Sequence, residues 1–176
     1  MSRNAGGYSV RKVKSFRGNE GLGFNAELCR DGKPVAYVMD DAGGGMYRWE
    51  WYDREAPRTK VSVGGLCGGE HERNATPEEA RLLAHVRTLP KEESEWDKGM
   101  SYPVNDEIFV GGLVDDYEND RRLRRVCKTK VLFRLEGDKE GEYRTVKAAY
   151  DERTKAWMKA TYGDAVVEVL NEKYAA

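Results

Sequence analysis

The chain opens with alternation. Val10 to Phe16 reads as a first strand, and then Leu22, Phe24, Ala26 and Leu28 alternate with Gly23, Asn25, Glu27 and Cys29. Period two is the signature of a half-buried strand. Asp31-Gly32 follows, a two-residue hairpin signal because both positions must take positive φ. Val35, Tyr37 and Met39 carry the alternation back, Asp40–Gly45 makes a wider turn, and Tyr47, Trp49 and Trp51 alternate with Arg48, Glu50 and Tyr52. The pattern predicts an antiparallel meander of three or four strands, to which residues 59–63 add a fifth.

The period then changes. Thr76-Pro77-Glu78-Glu79 has the chemistry of a helix start, with Thr as N-cap, Pro in the first turn and acids at the positive end of the dipole. Leu82, Leu83 and Val86 supply its apolar stripe and Pro90 ends it. Residues 91–103 are charged and predict a linker or exposed crossover. From Asn105, a capping residue, Ile108, Phe109, Leu113, Val114 and Tyr117 recur at helical spacing to about residue 124. Gly111-Gly112 inside that helix costs roughly 1 kcal/mol per glycine relative to alanine, which marks a close packing site or a kink. Residues 127–136 return to strand character, 137–141 read as a turn and 142–150 as the partner strand. A helix over about 151–162 places Ala156, Trp157 and Ala160 on one face. Gly163 breaks it, and Val166, Val167, Val169 and Leu170 suggest a short terminal helix.

The fold class is therefore α+β: an N-terminal antiparallel β-meander, a helical middle and a C-terminal helix–β-hairpin–helix. The divisions fall at 1–70 for the sheet region, 71–104 for helix and charged linker, and 105–176 for the helix–hairpin–helix region, or all three form one compact domain. At 176 residues, with four Trp and ten Tyr, either arrangement has side chains enough for a core.

Charge changes the picture by its distribution. The net charge is −1, which predicts no global attraction to nucleic acid or anionic lipid. Yet residues 91–120 hold ten acids against Lys91 and Lys98, while residues 121–134 hold seven basic residues and no acid. An acidic block of −8 runs into a basic block of +7. No apolar run approaches the ~20 residues of a membrane span. Met1–Gly7 is short and polar, and Cys29, Cys67 and Cys127 are widely spaced; together they predict a cytoplasmic protein with free thiols.

Most of the candidate chemistry fails on spacing. Gly18-Asn-Glu-Gly21-Leu-Gly23 has the order G-x-x-G-x-G and leads into a strand, whereas a phosphate loop needs G-x-G-x-x-G ahead of a helix N-terminus. Asp40-Asp41 offers hard oxygen ligands but no calcium-loop spacing, and turn chemistry explains the same residues. Cys67 and His71 stand four apart on a glycine-rich segment without the further ligands that zinc demands. A metal-dependent hydrolase on Asp40, Asp41 and His71 is the weakest class of function. The sequence predicts no cofactor, no metal and no catalytic residue, hence a non-enzymatic protein.

The basic block carries more weight. Arg121, Arg122, Arg124 and Arg125 near a helix end, then Lys128, Lys130 and Arg134 running into a strand, are a footprint for phosphate. Tyr143, Tyr150 and Trp157 are available for stacking. The same arginines also suit a helix C-terminus and pair at helical spacing with Asp115, Asp116, Glu118 and Asp120. Tyr47, Trp49 and Trp51 share one strand face, as core or as interface anchors.

The stretches "FRGNEGLGFNAELCRDGKPVAYVMDDAGGG" and "IFVGGLVDDYENDRRLRRVCKTKVLFRLEGDKEGEYRTVKAAYDERTKAWMKATYGDAVVEVLNEKY" resemble small accessory proteins of unknown function encoded by bacteriophages and prophages. The resemblance implies a protein of the infected bacterium's cytoplasm that acts by binding a host protein or nucleoprotein. Inhibition of a host defence such as a CRISPR system is one such role. Tyr47, Trp49, Trp51, Asp115 and Asp116 are the partner-binding candidates. The alternative is a nucleic-acid-binding module built on the basic 121–134 segment.

Overall fold

A computed structural model describes residues 5–64, 70–93 and 97–174. The fold is α+β, and the chain divides into two compact units, residues 2–117 and 118–176.

In the first unit, β1 (Tyr8–Arg17), β2 (Leu22–Arg30), β3 (Lys33–Asp40) and β4 (Arg48–Trp51) form a four-stranded antiparallel meander in sequence order. The hairpin turn of β2 and β3 is Asp31-Gly32, with φ of 51° and 77°, the positive pair that a twisted two-residue hairpin needs. One extra residue in β1 makes a bulge between Arg11 and Lys14, with Lys12 at φ 54°. The bulge lets both Arg11 (2.6 Å) and Lys12 (2.9 Å) reach Glu27 on the neighbouring strand.

The expected fifth strand exists but belongs elsewhere: β5 (Thr59–Gly64) pairs with β6 (Glu70–Ala75) in a separate two-stranded sheet. Its partner, Glu-His-Glu-Arg-Asn-Ala, is too polar to announce itself as a strand. α1 (Pro77–Val86) starts as its sequence dictates. Thr76 Oγ1 accepts from Glu79 N and Glu79 Oε2 accepts from Thr76 N, both at 3.2 Å, a reciprocal capping box. Within the charged stretch, read from sequence as a linker or exposed crossover, β7 (Glu92–Glu93) and β8 (Ser101–Tyr102) pair antiparallel over two residues each. α2 (Asp106–Val126) opens with Asn105 Oδ1 accepting from Ile108 N at 2.7 Å.

The first core lies between the meander and the two helices. Val10, Phe24, Leu28 and Val38 from the sheet meet Leu82 and Val86 of α1 and Phe109, Val110, Leu113 and Val114 of α2. A half-buried cation links the elements at its margin. Arg73 of β6 lies 2.9 Å from Glu79 and 2.8 Å from Asp106, both carboxylates being nearly inaccessible.

The second unit contains the last turns of α2, β9 (Val131–Leu135), β10 (Arg144–Val146), α3 (Glu152–Tyr162), β11 (Val166–Val169) and α4 (Leu170–Tyr174). The terminal valines form a strand rather than a helix. β11 pairs antiparallel with β9, which becomes the centre of a three-stranded sheet in the order β10-β9-β11. Three β-branched residues in four favour extended backbone once a partner strand is at hand, and only α4 is left helical. β9 is shorter than expected, so Lys128 and Lys130 stand in the turn before it rather than on a strand face. Val131, Phe133 and Leu135 pack with Met158 of α3 into a second core.

Candidate functional site

Placement of the expected sites begins with Gly18–Gly23. Gly18 N donates to Gly21 O at 2.9 Å and Glu20 N donates to Ala42 O at 2.9 Å, so the loop closes on itself and rests on the 41–45 turn. A Cβ on Gly23 would lie 2.5 Å from the carbonyl oxygen of Asp40 and 2.9 Å from the ring of Phe16. The glycines serve close backbone approach, and a strand follows them. Gly23→Ala is expected to cost about 2 kcal/mol. Gly45→Ala, where a Cβ meets nothing within 4 Å, should fall within about 0.5 kcal/mol of neutral. Urea unfolding of the pair checks this, and equal costs would sink the close-approach explanation.

Asp40 and Asp41 each close a turn, Asp40 Oδ1 accepting from Ala42 N at 2.8 Å and Asp41 Oδ1 from Gly43 N at 3.0 Å. Arg48 sits 3.2 Å from the other oxygen of Asp41. His71 is exposed on β6 opposite Val63, and Cys67 lies outside the described residues. Among the described residues no three His, Cys, Asp or Glu side chains stand close enough to hold a metal ion. Burial pushes the thiols of Cys29 and Cys127 up, away from the reactive thiolate.

Tyr47, Trp49 and Trp51 do share a face, and it turns inward. Trp51 is 8 % exposed, its ring stacks on Trp49 at 5.3 Å, and Trp49 and Tyr47 pack half-buried against the first core. Tyr47 meets Phe24 edge-to-face at 5.2 Å, its N–H donates to Glu107 of α2 at 2.8 Å, and its hydroxyl lies 3.1 Å from where a Cβ on Gly111 would stand. Burial, then the nearby Asp40, Glu107 and Asp115 carboxylates, pushes its phenol up to about 12. Gly111 is thus a packing site for Tyr47. Asp115 and Asp116 are exposed on α2.

The basic block divides into two groups. Arg134 pairs with Glu168 at 3.3 Å across the β9–β11 ladder. Arg124 lies 3.4 Å from Asp120 and 5.0 Å from the ring centre of Tyr174. Asp120 also accepts the Tyr174 hydroxyl at 2.6 Å and faces Lys173 at 3.4 Å, and these partners hold its carboxyl below the usual carboxylate range. These two arginines fasten the second unit together.

Arg121, Arg122 and Arg125 differ. At 100° per residue they fall within one third of the helix circumference, exposed, with Glu118 and Asn119 lining the same shallow depression of about 430 Å3. Arg122 donates to Asn119 at 2.8 Å, and Arg121 is a loose 3.7 Å from Glu118. Lys128, exposed, follows the helix end. Residues 118–176 hold fourteen Lys and Arg against eleven Asp and Glu, a net of +3, whereas residues 2–117 hold sixteen against twenty, a net of −4. The chain's near-neutral total conceals a cationic unit carrying an arginine face.

No family model, curated protein or solved structure matches this chain. No helix among the described residues is long and apolar enough to cross a membrane.

Of the three aromatic residues placed beside the basic block, two have internal employment. Tyr150 donates its hydroxyl to Glu172 and lies under Lys155, and its phenol is pushed up to about 12, chiefly by burial. Tyr143 donates to Glu168 at 3.2 Å. Trp157 is 43 % exposed beside a groove. Asn171, a buried side chain bonded to three backbone groups, carries no motif that would single it out. It is 5 % exposed, accepts from Leu132 N at 2.9 Å, and donates to Cys127 O at 2.9 Å and Lys130 O at 2.8 Å.

Proposed function

We propose that this chain is a non-enzymatic binding protein that engages a nucleoprotein, with Arg121, Arg122 and Arg125 meeting phosphates of its nucleic acid. The observation that carries the reading is the solvent-facing row of three guanidinium groups on one helix face, in a unit of net positive charge. Guanidinium forks suit phosphate oxygens, and an exposed row of them gains affinity by releasing counterions. Glu118 and Asn119 lie among the arginines and fit a partner contacted at a few phosphates rather than a long duplex track. In the bacteriophage setting implied by the resemblance, the partner is a host nucleoprotein, and a host-defence complex such as a CRISPR effector belongs to that class. A nucleic-acid-binding module acting alone would use the same face.

The reading is tested by anisotropy titration of labelled DNA and RNA over a range of salt. The triple variant R121A/R122A/R125A is expected to bind about tenfold more weakly at low salt and to flatten the salt dependence by about three counterions. Arg134→Ala, which removes a partner of Glu168, should leave that slope in place. Absence of measurable binding at low salt, together with a lysate pull-down that recovers no nucleic acid, would overturn the proposal.

A further inference from the structure

Trp157 presents a large exposed indole on the second unit. In the second unit, Thr154 and Met158, one turn apart on α3, are the buried pair, because β9 presents Val131, Phe133 and Leu135 to that side of the helix. Trp157 is thereby turned outward.

The ring is nevertheless held in place. Tyr162 meets it edge-on, with centroids 5.7 Å apart and an interplanar angle of 86°, and Tyr162 in turn packs at 5.3 Å on Phe133, which is 1 % exposed. Beside the indole runs a groove of about 370 Å3 lined by Val146, Ala148, Ala149 and Thr154, with Asp151 and Arg153 at its polar edge. Asp151 is occupied as the N-cap of α3, its Oδ1 accepting from Thr154 N at 2.8 Å. The lining is small and largely apolar and leaves the indole beside an open slot. In the adjoining residues 147–159, the exposed Lys147, Arg153, Lys155 and Lys159 outnumber the exposed Asp151 and Glu152, so the surroundings favour an anionic ligand.

We propose that this groove takes an unpaired nucleobase stacked on Trp157, so that the nucleic acid engaged by this unit is single-stranded. The inference rests on the phosphate-binding reading of the arginine face and adds to it a second contact and a strand state. Every base has a π-face, so one rigid indole accepts any base, and the neighbouring cations follow the backbone. A duplex keeps its bases stacked internally and offers none to the groove.

The test is anisotropy titration of an oligothymidylate of about ten nucleotides and of a duplex of equal length. The proteins are the full chain, its W157A and W157F variants, and R121A/R122A/R125A. The single strand is expected to bind more tightly than the duplex, W157A to lose about tenfold in single-strand affinity with the duplex unchanged, and W157F to retain most of it because phenylalanine also stacks. Thermal unfolding by circular dichroism identifies any variant that fails to fold, and W157F then carries the comparison of strand states. Unchanged single-strand affinity in W157A, or a duplex bound as tightly as the single strand, overturns this inference while leaving the arginine reading intact. Failure of every nucleic acid to bind overturns both. A groove built to seat a partner protein's side chain would give the first of these results.

Discussion

Phe109→Ala is expected to destabilise the first unit by about 4 kcal/mol, the upper range for emptying a buried aromatic site. Phe109 is fully buried and stands where three elements meet, edge-to-face with Tyr8 of β1 at 5.9 Å and with His85 of α1 at 5.3 Å. Removing the ring opens a cavity whose walls belong to different elements, so none can move in without losing contacts of its own. Against total stabilities of about 5–15 kcal/mol for domains of this size, the loss is a large fraction. The neighbouring Ile108 is half-buried on the same helix, and Ile108→Ala should cost about 1 kcal/mol. Chemical denaturation of the two variants makes the comparison, and equal costs would refute the placement of Phe109 at the centre of the core.

Asn171→Ala should cost about 3 kcal/mol, and the loss should fall on the second unit. Its carboxamide satisfies one amide and two carbonyls at the join between α2 and β9. Each buried group left unpaired carries a penalty of about 1–3 kcal/mol, partly relieved where water can enter. A second substitution separates hydrogen bonding from volume. Asn171→Asp keeps the shape and the acceptor for Leu132 N but sets a carboxylate against two carbonyl oxygens, and it should be at least as damaging as alanine. Hydrogen exchange at the Leu132 amide reads the effect locally, with protection falling in both variants. A well-protected Leu132 amide in Asn171→Ala would show that the side chain is not what holds the strand.

The arginine face and the Trp157 groove were unequally legible in the sequence. The seven basic residues of 121–134 are plain as a run, but a run does not reveal which members have partners. Glu168, which takes Arg134, and Tyr174, which takes Arg124 through Asp120, lie 34 and 50 residues away from those arginines. Trp157 was one of three stacking candidates, and only the pairing of Tyr143 with Glu168 and of Tyr150 with Glu172 separates it from the others. Asn171 gave no signal, since its partners are backbone groups and any residue type has those.

What the sequence by itself determined is what depends on neighbours in the chain. The Asp31-Gly32 hairpin follows from the φ those residues tolerate, the start of α1 from a Thr and a Glu three apart, and the alternation of β2 and β4 from the pleat. The α+β class follows from those local decisions in series. Tertiary structure decided the rest, because each remaining question concerned a partner distant in the chain. Val166–Val169 became a strand because β9 offered an open edge, β5 left the meander because β6 claimed it, and the Tyr47–Trp51 face became core because Gly111 let α2 approach. Strand pairing and burial are energies of contact between distant segments, and a one-dimensional pattern shows that a face is apolar without showing what covers it.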